Sequence, residues 1–288
     1  MSRLAWPLLL LLVACSSSSD QPGPPEDQTL VRHEQAGKIA ADLDRPEEAV
    51  VQFEAALKQA QARDDLQAIA DLSFSLAVAQ LRANRPQDAL ATTQLARAEL
   101  VRRGSQPAPP LLLAEASALY RLGRQDDADS LATTIEAAGD ANAAAGASFL
   151  RGLIADQAGD EAGLRNALAR LSGVSAPLRM ADRQELQARL ALRQDDLAGA
   201  RAAAKQAAGI RQEALDYRGM VRALAVAGQA AERAGDNEAA ADLYLRAGRS
   251  AAAQSDSDTA RPWLEKALSL SKDSSSREAA DTALDGLD

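Results

Sequence analysis

The residues able to do chemistry are few. The 288-residue chain carries one cysteine, Cys15, and one histidine, His33. These cannot supply the nitrogen and sulfur ligands that a zinc ion takes, so no metal or other cofactor is expected. His33 reads as a packed or half-exposed structural residue. Ser269-Leu-Ser-Lys272 has the Ser-x-x-Lys spacing of a catalytic serine, but the companion S-D-N and K-T-G motifs are missing. There is no glycine-rich phosphate loop, no G-x-S-x-G and no H-E-x-x-H. Acidic pairs at Asp126-Asp127 and Asp195-Asp196 resemble metal ligands or an acid–base dyad in type alone. They recur, with Glu47, Glu48 and Glu238, where second helices should begin, and carboxylates there complement unpaired amides. The expectation is a protein that is not an enzyme.

Cys15 is the exception, because of what precedes it. Met1-Ser2-Arg3 is a short basic start, and Leu4 to Ala14 is an apolar run holding Pro7. That run is far shorter than the ~20 residues a spanning helix needs. It ends in Leu12-Val13-Ala14-Cys15, which resembles the lipobox of bacterial lipoproteins. The resemblance implies a signal peptide over residues 1–14, cleavage before Cys15, and acyl chains on that residue. Two or more chains anchor stably where one holds marginally, at ~0.8 kcal/mol per buried methylene. Ser16, rather than Asp, implies export to the outer membrane, with the protein facing the periplasm. Residues 15–29 then form the lipidated cysteine and a disordered tether rich in Ser, Pro and acid.

The elements that follow are helical. Hydrophobic residues make up 47% but aromatics only 3%, so the apolar content is mainly Ala and Leu, which suits close helix packing and not sheets. A net charge of −9 and a pI near 4.9 leave no basic patch for nucleic acid, and read as a solvated surface. Residues 36–60 read as two amphipathic helices joined at Leu43-Asp44-Arg45-Pro46. Gly37, Ala49 and Ala56 sit where they touch, and Phe53 fills the space between. The pattern returns with Ala49, Ala89, Ala128, Leu164, Ala200 and Ala240 in register, at intervals of 40, 39, 36, 36 and 40. Gly37, Gly152 and Gly228 take the close-contact position of first helices. Gly123, Gly159 and Gly235 take the turn, and Phe53, Leu168 and Tyr244 the bulky position of second helices. Ala56, Leu171 and Ala247 follow them.

This resembles the tetratricopeptide repeat, although these units exceed its basic length of about 34 residues. The resemblance implies an all-α solenoid of tetratricopeptide-like helix-turn-helix repeats over residues 30–288, about six to seven units. Asn237 to Gln254 should serve two units at once, and Ser274 to Leu287 should cap the last apolar face. It also implies that first helices line a groove that grips a protein or peptide. The groove positions are Phe74, Val78, Leu81 and Arg82, then Leu113, Tyr120 and Arg121, then Phe149 and Leu153. Arg189, Arg193 and Arg222 lie beside or beyond them. An apolar stripe rimmed by arginine would suit a segment with acidic flanks. The expected function is a lipid-anchored envelope scaffold for a protein partner; the alternative is a self-assembling lipoprotein with no heterologous partner.

Overall fold

A computed structural model describes residues 27–287. The signal segment, Cys15 and nearly all of the expected tether lie outside the described residues. Gln28 and Thr29, expected at the end of the tether, instead open the first helix. The described residues form fourteen helices and no strand: α1 (Gln28–Asp42), α2 (Pro46–Ala62), α3 (Leu66–Arg82), α4 (Pro86–Arg102), α5 (Pro109–Arg121), α6 (Gln125–Ala137), α7 (Ala141–Ala158), α8 (Glu161–Arg170), α9 (Pro177–Arg193), α10 (Leu197–Glu213), α11 (Tyr217–Arg233), α12 (Asn237–Ala253), α13 (Ser257–Leu270) and α14 (Ser274–Asp285). None is long and apolar enough to cross a membrane.

The punctuation of these helices is regular. Asp44, Asp64, Asn84 and Gly104 sit at left-handed φ after successive helices, and Asp195, Leu215, Gly235 and Ser255 repeat the spacing near the other end. One helix and its turn therefore occupy 20 residues, which sets the 40-residue interval in the outer units. Aspartates begin many of the helices: Asp65, Asp140, Asp160, Asp196, Asp216, Asp236 and Asp256 each accept a hydrogen bond from a first-turn amide. Asp195 is the left-handed turn residue before the cap, so the Asp195-Asp196 pair divides its work between turn and cap. Pro46 and Pro86 occupy first turns, where a missing N–H costs nothing.

Neighbouring helices pack antiparallel as seven hairpins, from α1–α2 to α13–α14, with α14 covering the last apolar face. The protein is thus an all-α solenoid of tetratricopeptide-like repeats. Ala49, Ala89, Ala128, Leu164, Ala200 and Ala240 are all 0% exposed, as contact points between paired helices must be. Gly37 lies under the Phe53 ring and Gly228 under the Tyr244 ring, close enough that a methyl group on either glycine would overlap the aromatic carbons. Gly248 of α12 meets Leu264 of α13 in the same way, so α12 is second helix to one hairpin and first helix to the next. The fourth hairpin departs from the expectation. Gly152 faces Leu186 of α9 and Ala167, while Leu168 is only half-buried. With α8 only 10 residues long, the following unit supplies the bulky group.

First helices also pack on one another: α3 on α5, α5 on α7, α7 on α9, and α9 on α11. They form the inner wall of a superhelix that closes on itself. Arg218 of α11 donates twice to the Arg82 carbonyl at the end of α3, at 3.0 and 2.7 Å, and once to Asp256 at 2.8 Å. Asn84, in the α3–α4 turn, reaches the other Asp256 oxygen at 3.5 Å. A cavity of about 290 Å³ lies along this seam, between residues 44–48 and residues 253–255. The seam is polar: the apolar clusters of α1–α3 and of α9–α14 share no residue.

Candidate functional site

Inside the closed superhelix is a hollow of about 420 Å³. Its floor is apolar, with Leu113 and Tyr120 from α5, Phe149 and Leu153 from α7, and Val221 from α11. They face inward because α5, α7 and α11 are first helices whose opposite faces are held by their own second helices. Leu153 and Phe149 are 4% and 9% exposed, so they form packed floor rather than an open stripe.

The wall is charged. Arg121, Arg179, Arg211, Arg218 and Arg222 line the hollow against Asp182, Asp216 and Asp256, a local excess of two positive charges in an acidic chain. Behind it lies a buried ion network. Arg211, 3% exposed, donates to Asp182 and Glu185 at 2.8 Å each and to Asp216 at 2.6 Å. Glu185 is 0% exposed and also takes Arg189 at 2.9 Å and Arg222 at 3.3 Å. Burial alone would push its carboxyl up, but Arg222, Arg189 and Arg211 outweigh that and hold it at about 2. The Arg211 and Arg222 guanidiniums also lie over the Phe149 ring, at 5.4 and 5.7 Å.

Arg121 stands apart in this network. It donates to the Leu81 carbonyl and to Asn84 Oδ1, both neutral acceptors. Burial of its guanidinium, reinforced by Arg218 and Arg222, lowers its pKa to about 10 although Asp256 pulls the other way. Burial likewise pushes the Tyr120 hydroxyl up. Both groups keep their ordinary charge at neutral pH.

The sequence-derived groove residues divide into two sets. Leu113, Tyr120, Arg121, Phe149 and Leu153 come together in the hollow. Phe74 and Leu81, both half-buried, pack against the apolar clusters that α4 and α5 share with α3, Phe74 also against that of Leu100 and Leu111. Val78 is half-buried on the same helix, outside the hollow's lining. Arg82 is exposed, donates to the Ala41 carbonyl at 3.1 Å, and belongs to the seam. Arg189 and Arg193 both bond Asp156 and fasten α9 to α7. His33 bonds Gln52 at 2.8 Å between α1 and α2. Asp182, Glu185, Arg211, Arg218 and Asp256 were not singled out. The α9 members had a legible signal: Arg179, Asp182, Glu185 and Arg189 follow at helical spacing where other first helices carry mostly small or apolar residues.

No protein-family model and no curated protein matches the sequence. Among solved structures, the chain is similar to a tetratricopeptide repeat protein from Parabacteroides merdae ATCC 43184. The TM-score is 0.49 at 18% identity, over 91% of this chain and 99% of that one. It is also similar to the TPR2AB domain of yeast Sti1 in complex with pHSP90. There the TM-score is 0.34 at 14% identity, over 88% and 98% of the two chains.

Proposed function

We propose that this protein is a lipid-anchored scaffold of the bacterial envelope, held at the outer membrane through acyl chains on Cys15 and binding a polypeptide partner on the inner wall of its solenoid. The observation that carries this reading is the hollow. It gathers Leu113, Tyr120, Phe149 and Leu153 beneath an arginine excess, in a chain whose net charge is −9. Apolar anchoring surface ringed by charge is how interfaces divide affinity from orientation. The Leu-Val-Ala-Cys sequence supports the anchor, and the stack of hairpins supplies a rigid concave support.

The test is affinity purification of the tagged, lipidated protein from its native envelope. A defined polypeptide should copurify in stoichiometric amount. Its recovery should fall about tenfold or more when Leu178→Asp and Arg121→Glu are combined, because a buried apolar contact and a charge pair are lost together. Leu178 is 39% exposed at the hollow's mouth, so far-UV helicity should be unchanged. Undiminished recovery with that variant would remove the inner wall from the interaction. A larger particle by light scattering, with no second polypeptide, would replace the scaffold by self-assembly.

The anchor is tested separately. Cys15→Ala is expected to leave the protein unprocessed or in the soluble fraction, because no other residue in the chain can carry the thioether. Membrane fractionation after a salt wash reads the outcome, and an unchanged membrane fraction would end the lipoprotein reading.

A further inference from the structure

An arginine-lined wall can be read simply as a structural network. Four of its five arginines fit that description, since Arg179, Arg211, Arg218 and Arg222 each bond a carboxylate. Arg121 does not, because among the described residues only neutral acceptors bond it. Arg211 is incomplete as well: its Nε is buried and has no hydrogen-bond partner, on a side chain 3% exposed that lines the same hollow. Buried donors without acceptors are rare and costly.

The closure of the superhelix limits what can enter. Arg218 ties α11 to the end of α3, so the inner wall between them bounds a hollow. The hollow, about 420 Å³, lies at the small end of the range for sites that enclose a small ligand. Tyr120 and Leu113 offer a half-buried apolar floor, and the wall carries Arg121, which no carboxylate among the described residues bonds.

We propose that the hollow is a binding site for a compact organic anion, with an apolar body of one or two rings and one or two negative charges. The apolar body lies on Tyr120 and Leu113. The anionic group meets Arg121, which has no carboxylate partner among the described residues, and Arg222, which shares Glu185 with Arg189 and Arg211. This rests on the hollow being a binding site, and not on the polypeptide partner.

The probe is 1-naphthoate, with 1-naphthamide as its neutral counterpart of nearly the same shape, each titrated calorimetrically into the full chain. A single naphthoate should bind per chain, and naphthamide about tenfold or more weaker, the discrimination expected of a hydrogen-bonded buried charge. Arg121→Gln and Arg222→Gln should each bring naphthoate close to the affinity of naphthamide while naphthamide itself is unaffected. Equal affinity for the two probes, no naphthoate binding, or indifference to both substitutions would overturn the proposal. The comparison of probes on the unaltered chain decides the matter even where a variant folds poorly. Naphthoate binding without any copurifying polypeptide would leave this site standing and remove the scaffold. A copurifying polypeptide without naphthoate binding would do the reverse.

Discussion

Glu185→Ala is expected to lower the unfolding free energy by about 3 kcal/mol, the low end of what removing one partner of a buried ion pair costs. The low end applies because the stranded cations are not left wholly alone. Arg211 keeps Asp182 and Asp216, and Arg189 keeps Asp156. Arg222 keeps its position over Phe149 and the nearby charges of Asp182 and Asp216. The sign of the pH dependence follows from the carboxyl's folded pKa of about 2 against an ordinary 4.5. A depressed acid stabilises the fold fully above its unfolded pKa, and that contribution disappears as pH falls toward the folded one. The parent and the alanine variant should therefore differ most at neutral pH and converge between pH 4.5 and about 2. Urea unfolding across that window measures it. A gap that persists undiminished at the acid end would mean that the carboxylate charge is not what holds α9 to α10 and α11.

Two glycine-to-alanine changes are expected to move stability in opposite directions. At Gly209 in α10 an added methyl meets nothing within 4 Å. Alanine there should stabilise by up to about 1 kcal/mol, through helix propensity and a less flexible unfolded chain. At Gly228 the same methyl would stand 2.6 Å from Tyr244 Cε1 and 2.8 Å from Cδ1. That ring cannot retreat: it is 0% exposed, stacks on Trp263 at 5.2 Å, and donates its hydroxyl to Glu232 at 2.7 Å. Overpacking of about 1–3 kcal/mol then meets the same propensity gain, so Gly228→Ala should be destabilising by up to about 2 kcal/mol. Denaturant midpoints of the two variants, measured side by side, test it. Matching shifts of one sign would mean that α11 and α12 do not meet at this glycine.

How far the fold was legible follows from what a local pattern can encode. Alanine marks the points where paired helices touch, and the six aligned contact residues are all buried, so the register was readable. Phe53 and Tyr244 were readable as space-fillers for the same reason. Leu168 was not, because a short α8 hands its task to Leu186 in the next unit, which a fixed spacing does not anticipate. The site shows the same division. Leu113, Tyr120, Arg121, Phe149 and Leu153 were found because first-helix positions repeat. Phe74, Val78, Leu81 and Arg82 obey the same repeat but stand beyond the hollow, since its extent depends on where the superhelix closes. That closure is made by Arg218 and Asp256 with Arg82 and Asn84, residues 136 and 172 apart in the chain. No periodicity records a separation of that kind. The buried charges Asp182, Glu185 and Arg211 were overlooked because polar residues on a helix are ordinarily read as its wet side.

An open stack of hairpins can gain or lose a member with little consequence, since each copy meets only its neighbours. A stack whose second hairpin is fastened to its sixth and seventh does not have that freedom. Inserting or deleting one hairpin among the three that lie between would carry Arg218 away from the Arg82 carbonyl. The copy number of this middle portion is therefore held by geometry, whereas the first hairpin and the last helix remain free to diverge in length.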